Sequence, residues 1–155
     1  MLFTTHALVG AALGSAVGNP TGAFLAGIPL HHVLDWIPHN DPGSFFYGKE
    51  EPKDMVPSQW FMAFLDVIMG VGFVSLLFVT VKHDPAMIAG ALGGVISDLA
   101  DNVPYIKTLF RKFSVGKVFH AFHGKYHQTL PWRKAWFGIG FQVFLGIISV
   151  TLLLV

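Results

Sequence analysis

Cysteine is absent from the 155 residues, which removes disulfides, thiolate metal ligands and a cysteine nucleophile together. Charge is nearly as scarce: ten Lys and Arg and nine Asp and Glu make up 12% of the chain, about half the share of a soluble domain. The formal net charge of +1 carries no sign of a nucleic-acid partner. No Gly-x-Ser-x-Gly elbow is present, which argues against a serine hydrolase. No basic flank precedes the first apolar stretch, so that stretch reads as a retained helix and not as a cleaved signal.

What the chain has in quantity is hydrocarbon. Apolar residues make up 53% and the mean hydropathy is +0.58, the composition of an integral membrane protein. At about 20 residues per span there is room for roughly four to six spans and little else. The reading is an all-α helical bundle of five transmembrane helices in one membrane domain, residues 1–155. Helix 1 covers Phe3 to Gly18. Asn19-Pro20 is a cap followed by proline at the first helical position, opening a helix from Pro20 to Ile37 that Pro29 should kink. The third helix runs from Ser58 to Val81. Asp84-Pro85 repeats the cap signal and opens a fourth, ending near Val103 before Pro104. The fifth runs from Pro131 to the C-terminal residue.

Two longer connections remain. Pro38 to Pro57 has mixed charge, whereas Tyr105 to Leu130 holds Lys107, Arg111, Lys112, Lys117 and Lys125 and no acid. With five spans both lie on one side, and the basic segment marks that side as cytoplasmic, placing the N-terminus inside and the C-terminus outside. Lys82 is the one basic residue opposite.

Three of the apolar segments carry small residues at four-residue spacing that end in a possible metal ligand: Gly18, Gly14, Gly10 and His6; Ala23, Gly27, His31 and Asp35; Gly90, Gly94 and Asp98, with Asp101 one turn on. Residues four apart share a helix face, and small ones let membrane helices approach closely, so these histidines and aspartates should face other helices. In the five-span topology they gather at the cytoplasmic ends. Asp66, about 12 Å into helix 3, is expected as the floor of the same site.

His31-His32-Val33-Leu34-Asp35-Trp36-Ile37-Pro38-His39-Asn40-Asp41 offers up to four ligands from one segment, because Pro38 ends the helix and lets His39 and Asp41 turn back. Imidazole with carboxylate suits zinc first, with manganese or iron as alternatives. Gly93 to Pro104 superposes on this segment with Gly27 on Gly93, Asp35 on Asp101 and Pro38 on Pro104, so helices 1-2 and 3-4 may be read as repeated hairpins, with chance similarity between glycine-rich helices as the plainer account. Further on, helical spacing puts His120, His123 and His127 on one face and Phe119, Phe122 and Tyr126 on the next. Within the basic segment 105–130 this is an interfacial helix with aromatics at headgroup depth, interrupted by Gly124.

These motifs in order resemble the YdjM-like family of small bacterial and archaeal inner-membrane proteins, described as membrane-bound metal-dependent hydrolases. The resemblance rests on Thr5-His6-Ala7-Leu8-Val9-Gly10, on His31-x-x-x-Asp35-x-x-Pro38-His39-x-Asp41, on the Gly94 to Asp98 stretch and on His123 with His127. It departs at Ser97, where the family has proline before its second aspartate, and in His-Gly-Lys-Tyr-His, where the family often has His-Arg-Gly-x-Thr-His. It implies metal-dependent hydrolysis in a bacterial or archaeal cytoplasmic membrane.

The expectation is one or two divalent ions held by His6, His31, Asp35, Asp98 and a late histidine, with His39, Asp41 and His120 as further candidates. Asp35 or Asp101 would act as general base. Flanking lysines and arginines favour membrane lipids as partners and a lipid headgroup phosphate or ester as substrate. Two other classes use the same residues: a metal-ion or proton-coupled transporter, which needs a polar path past Asp66 to the Lys82 side, and a non-catalytic adaptor with a structural metal or polar network.

Overall fold

The computed structural model describes residues 1–45 and 55–155. Residues 46–54 of the Pro38 to Pro57 connection therefore lie outside the described residues. The chain folds as α1 (Phe3–Val17), α2 (Pro20–Asp35), α3 (Pro57–Thr80), α4 (Pro85–Asn102), α5 (Pro104–Phe110), α6 (Ser114–Tyr126), a 3-10 turn (Trp132–Lys134) and α7 (Ala135–Leu154). There is no β-strand among the described residues, only a parallel bridge between His39 and Thr129.

Local chemistry sets the ends. Gly18 closes α1 in the left-handed region at φ 74°, donating to the Gly14 carbonyl. Asn19 caps α2 through Gly22 N–H at 2.7 Å, and Asp84 caps α4 through Ala86 N–H at 2.8 Å, each ahead of a proline.

Two helices, Pro57–Thr80 and Trp132–Leu154, are long and apolar enough to cross a membrane. A third span results if α4 and α5 count as one, although they meet at an 81° bend. That bend corrects the sequence reading at Pro104: a proline stops one helix and starts the next, so the segment after Tyr105 begins as helix and not as loop. Likewise α6 runs through Gly124 to Tyr126 without a break. Leu130 and Pro131 precede a 3-10 turn, so α7 starts at Ala135 and not at Pro131. α1 and α2, of 15 and 16 residues, fall short of the span length.

α4 packs along both α1 and α2, and the small-residue ladders are the reason. A Cβ at Gly10 or Gly14 would meet the carbonyls of Gly90 or Ala86, and one at Gly27 would meet the Gly93–Gly94 peptide. The close approach brings the ends of α2 and α4 together with the start of α1. Below it Ala7, Leu8 and Ala11 of α1 join Val74, Leu77, Met87, Ala91, Val95 and Leu153 in one buried cluster. α3 and α7 flank α1 and extend past its start: Asp66, nine residues into α3, meets the backbone of Phe3 and Thr4. At 1.5 Å per residue α1 therefore begins about 13 Å below the start of α3 at Pro57.

Candidate metal centre

Asp35, the last residue of α2, is 1% exposed and lies at the centre of the cluster. Its Oδ2 is 3.1 Å from His31 Nε2, 3.2 Å from His123 Nε2 and 3.8 Å from His127 Nε2. Its Oδ1 is 3.0 Å from His6 Nε2 and 3.6 Å from His39 Nε2, and accepts from the Met1 ammonium. Five imidazoles from α1, α2, α6 and two loops thus surround one carboxylate. Asp98 adds a second, 3.9 Å from His31 and 4.0 Å from both His6 and His123.

For His31, His39 and His123 the far side of the ring fixes which nitrogen faces inward. His31 Nδ1 is 2.9 Å from the Gly94 carbonyl oxygen, which only accepts, so Nδ1 carries the hydrogen and Nε2 presents its lone pair. The same holds for His39, whose Nδ1 donates to the Ile37 carbonyl at 2.8 Å. His123 Nδ1 donates to Asp101 Oδ2 at 3.1 Å. The Nε2 atoms then face each other, His31 to His123 at 3.4 Å and His39 to His127 at 3.3 Å, beside a carboxylate. Each such pair needs a proton or a metal cation between its nitrogens.

Protonation answers part of that demand. Burial works against charge on His123, but the hydrogen bonds to Asp101 and Asp35 and the charge of Asp98 outweigh it and raise the ring to about 9. Burial, with the N-terminal charge and His127, lowers His39 to about 3, and burial likewise lowers His127. These two rings are neutral and their nitrogens are available as ligands.

Among the described residues three groups bring one ligand atom per residue within 4.8 Å of one another: His31, Asp35, Asp98 and His123; Asp35, His39 and His127; and His31, His32 and His123. Comparison with protein-family models, curated proteins and solved structures gives no match.

The expected ligands His6, His31, Asp35, His39, Asp98, His123 and His127 all come together. Asp41 lies at the edge, 3.4 Å from His127, with Oδ1 accepting from Ser44 N–H at 2.8 Å. His120 faces away from Asp35: it is 47% exposed in its side chain and bonds Asp101 at 2.9 Å. Asp101 itself is taken up by Arg111, at 3.1 Å from Nε and 2.7 Å from Nη2, and by His120 and His123. It orients His123 and is not placed as a free base. Asp66 departs from the expected floor of the site. Its carboxylate accepts from Phe3 N–H at 2.6 Å and Thr4 N–H at 3.0 Å, so it caps α1.

The aromatic face of α6 makes a contact that its own spacing did not predict. Phe119 and Phe122 pack edge-on against the His32 ring, at 5.6 and 5.1 Å, and dock α6 onto α2. His32, Arg111 and the backbone stitching of residues 127–130 are parts that sequence reasoning missed. Gln128 N–H donates to Asp35 O at 3.0 Å, His39 N–H to Gln128 O at 3.0 Å and Leu130 N–H to His39 O at 2.6 Å, which hangs His127 over the cluster. The doubled histidine at 31–32 was the available signal for His32; the backbone pairing had none.

Proposed function

We propose that the chain is a membrane-embedded, metal-dependent hydrolase of lipid phosphates or esters, working at the cytoplasmic interface, as the YdjM-like resemblance also implies. The observation that carries this is the convergence of five imidazoles on the Asp35 carboxylate, with His31 and His39 held in one tautomer by backbone carbonyls. The donor set fits zinc, manganese or ferrous iron. His31, His123, Asp98 and Asp35 Oδ2 would hold one ion, and His39 and His127 with Asp35 Oδ1 have the makings of a second seat. A bound divalent ion supplies an acidified water and polarises the ester or phosphoryl oxygen.

The chain's own groups do the rest. Asp101, gripped by Arg111, keeps His123 turned with Nε2 inward. Asp98 accepts from Asn102 on Oδ1 at 2.9 Å and keeps Oδ2 free to take the proton of an attacking water. Asp98, Asp41 and His127 are partly exposed, at 16, 18 and 24% of their side chains, and form the open side through which a headgroup enters. Lys112, Lys117, Lys125, Arg133 and Lys134 are exposed, and with the N-terminus inside they meet the anionic leaflet. Five spans, with α1 and α2 crossing as short helices sunk among the others, accommodate this topology.

The test uses purified protein loaded in turn with zinc, manganese and ferrous iron and given dioleoyl phosphatidate or phosphatidylcholine in mixed micelles. Release of phosphate or fatty acid that stops on chelation and in His31→Ala is the expected result. A metal-replete protein inert on both lipid classes would overturn the lipid hydrolase.

A further inference from the structure

A cavity of about 610 Å³ lies between α1, α3 and α7, walled by Leu8, Leu65, Met69, Phe73, Ile147 and Val150. Its two long walls are the two helices long and apolar enough to cross a membrane, so hydrocarbon is the medium at its side. The five polar residues in the wall are already satisfied: Thr4, Thr5 and Thr151 donate to Asp66 O, Gln142 Oε1 and Ile147 O. Asp66 accepts from the start of α1, and Gln142 accepts from Leu2 N–H at 2.7 Å and donates to Asn40 O at 2.8 Å. The surface left to an occupant is apolar.

One end of the cavity adjoins the metal centre. Thr5, Pro42 and Leu2 line it, and each is the chain neighbour of a residue in the cluster: His6, Asp41 and Met1. From there the α3 wall runs from Met62 to Phe73, about 16 Å at 1.5 Å per residue, close to the roughly 15 Å depth of one leaflet. The same end carries Arg133 and Lys134 in the turn before α7, both exposed, at the level of an anionic headgroup.

We infer that this groove seats one hydrocarbon chain of the lipid substrate, entering between α3 and α7 from the leaflet that faces the metal centre and hanging the headgroup at Asp35 and Asp98. The headgroup end rests on the hydrolase reading; the chain end does not. Gly146 keeps the groove open, because a Cβ there meets only Leu8 Cδ1, at 3.7 Å, and a larger side chain has the groove to fill.

The full chain is reconstituted in dioleoyl phosphatidylcholine vesicles containing phosphatidic acid with a photoreactive group at one chain end, and labelled residues are mapped by mass spectrometry. Labels on Leu8 and Val150, buried and half-buried in the groove, should exceed those on the outward Phe64, Ile68 and Phe144, which are 61, 51 and 56% exposed. Gly146→Phe should lower groove labelling about tenfold by displacing buried methylenes. Equal labelling of groove and outward residues overturns the inference. If Gly146→Phe does not fold, unlabelled dioleoyl phosphatidate decides in the wild type: saturable labelling supports the seat and unsaturable labelling removes it. Labelling needs neither metal nor turnover, so an inert protein with a labelled groove would sink the hydrolase and leave the seat standing.

Discussion

Asp35 and the groups that orient its neighbours divide the aspartates into different jobs. Asp101 acts through His123, and Asp101→Asn should weaken metal binding about 10- to 100-fold while saturation still reaches the wild-type stoichiometry, as titration with elemental analysis would read. Unchanged affinity would show that the Arg111–Asp101 pair only ties α5 to α4. Asp66→Ala should instead leave metal binding intact and destabilise the fold by about 1–3 kcal/mol, because two buried N–H groups of α1 lose their acceptor. Thermal melting in detergent measures it, and loss of metal with an unchanged melting point would return Asp66 to the site. The His31–Asp35 pair was legible in sequence because four-residue spacing fixes a shared face. The job of Asp66 was not, since nothing in α3 says that α1 starts nine residues below its start. Arg111 was equally hidden in a basic run whose other members face solvent.

Helix contacts follow the glycine ladders closely enough to be tested by them. Gly90→Leu places a side chain against the backbone of Gly10 and Gly14, and should abolish the α1–α4 approach and with it both the folded yield and the metal centre. Gly72→Leu, at a position with nothing within 4 Å, should leave yield and metal content unchanged. Equal yields from the two would refute close packing as the device that gathers the ligands. Element starts were readable from Asn19-Pro20 and Asp84-Pro85 because cap and proline act locally. The α4–α5 bend was not, because Pro104 announces that a helix stops and not that another begins at 81° to it. α6 was read as an interfacial helix from its own pattern, which could not show that its Phe119 and Phe122 pack on His32 of a helix some ninety positions earlier.

The whole molecule places the sunk start of α1, the ends of α2 and α4, and α6 around one site, and leaves the opposite end to Lys82 and His83. A chain without cysteine makes that orientation directly measurable. Lys117→Cys should react with a membrane-impermeant maleimide from the cytoplasmic side only, and Lys82→Cys from the other only; the reverse pattern would invert the topology and move the site to the outer face. Membrane class was plain from composition. The number of spans was not, because α1 and α2 are shorter than a bilayer requires and owe their place to the helices around them. The most direct measurement is the metal content of the purified chain by elemental analysis, in wild type, His31→Ala and Asp35→Ala, with melting followed on chelation. The account predicts stoichiometric zinc, manganese or iron in the wild type, lost in both variants, with a melting point that falls on chelation. A wild type that binds no metal under replete conditions, with both variants folded, would contradict it and leave the His/Asp cluster as a polar network that holds the helices together.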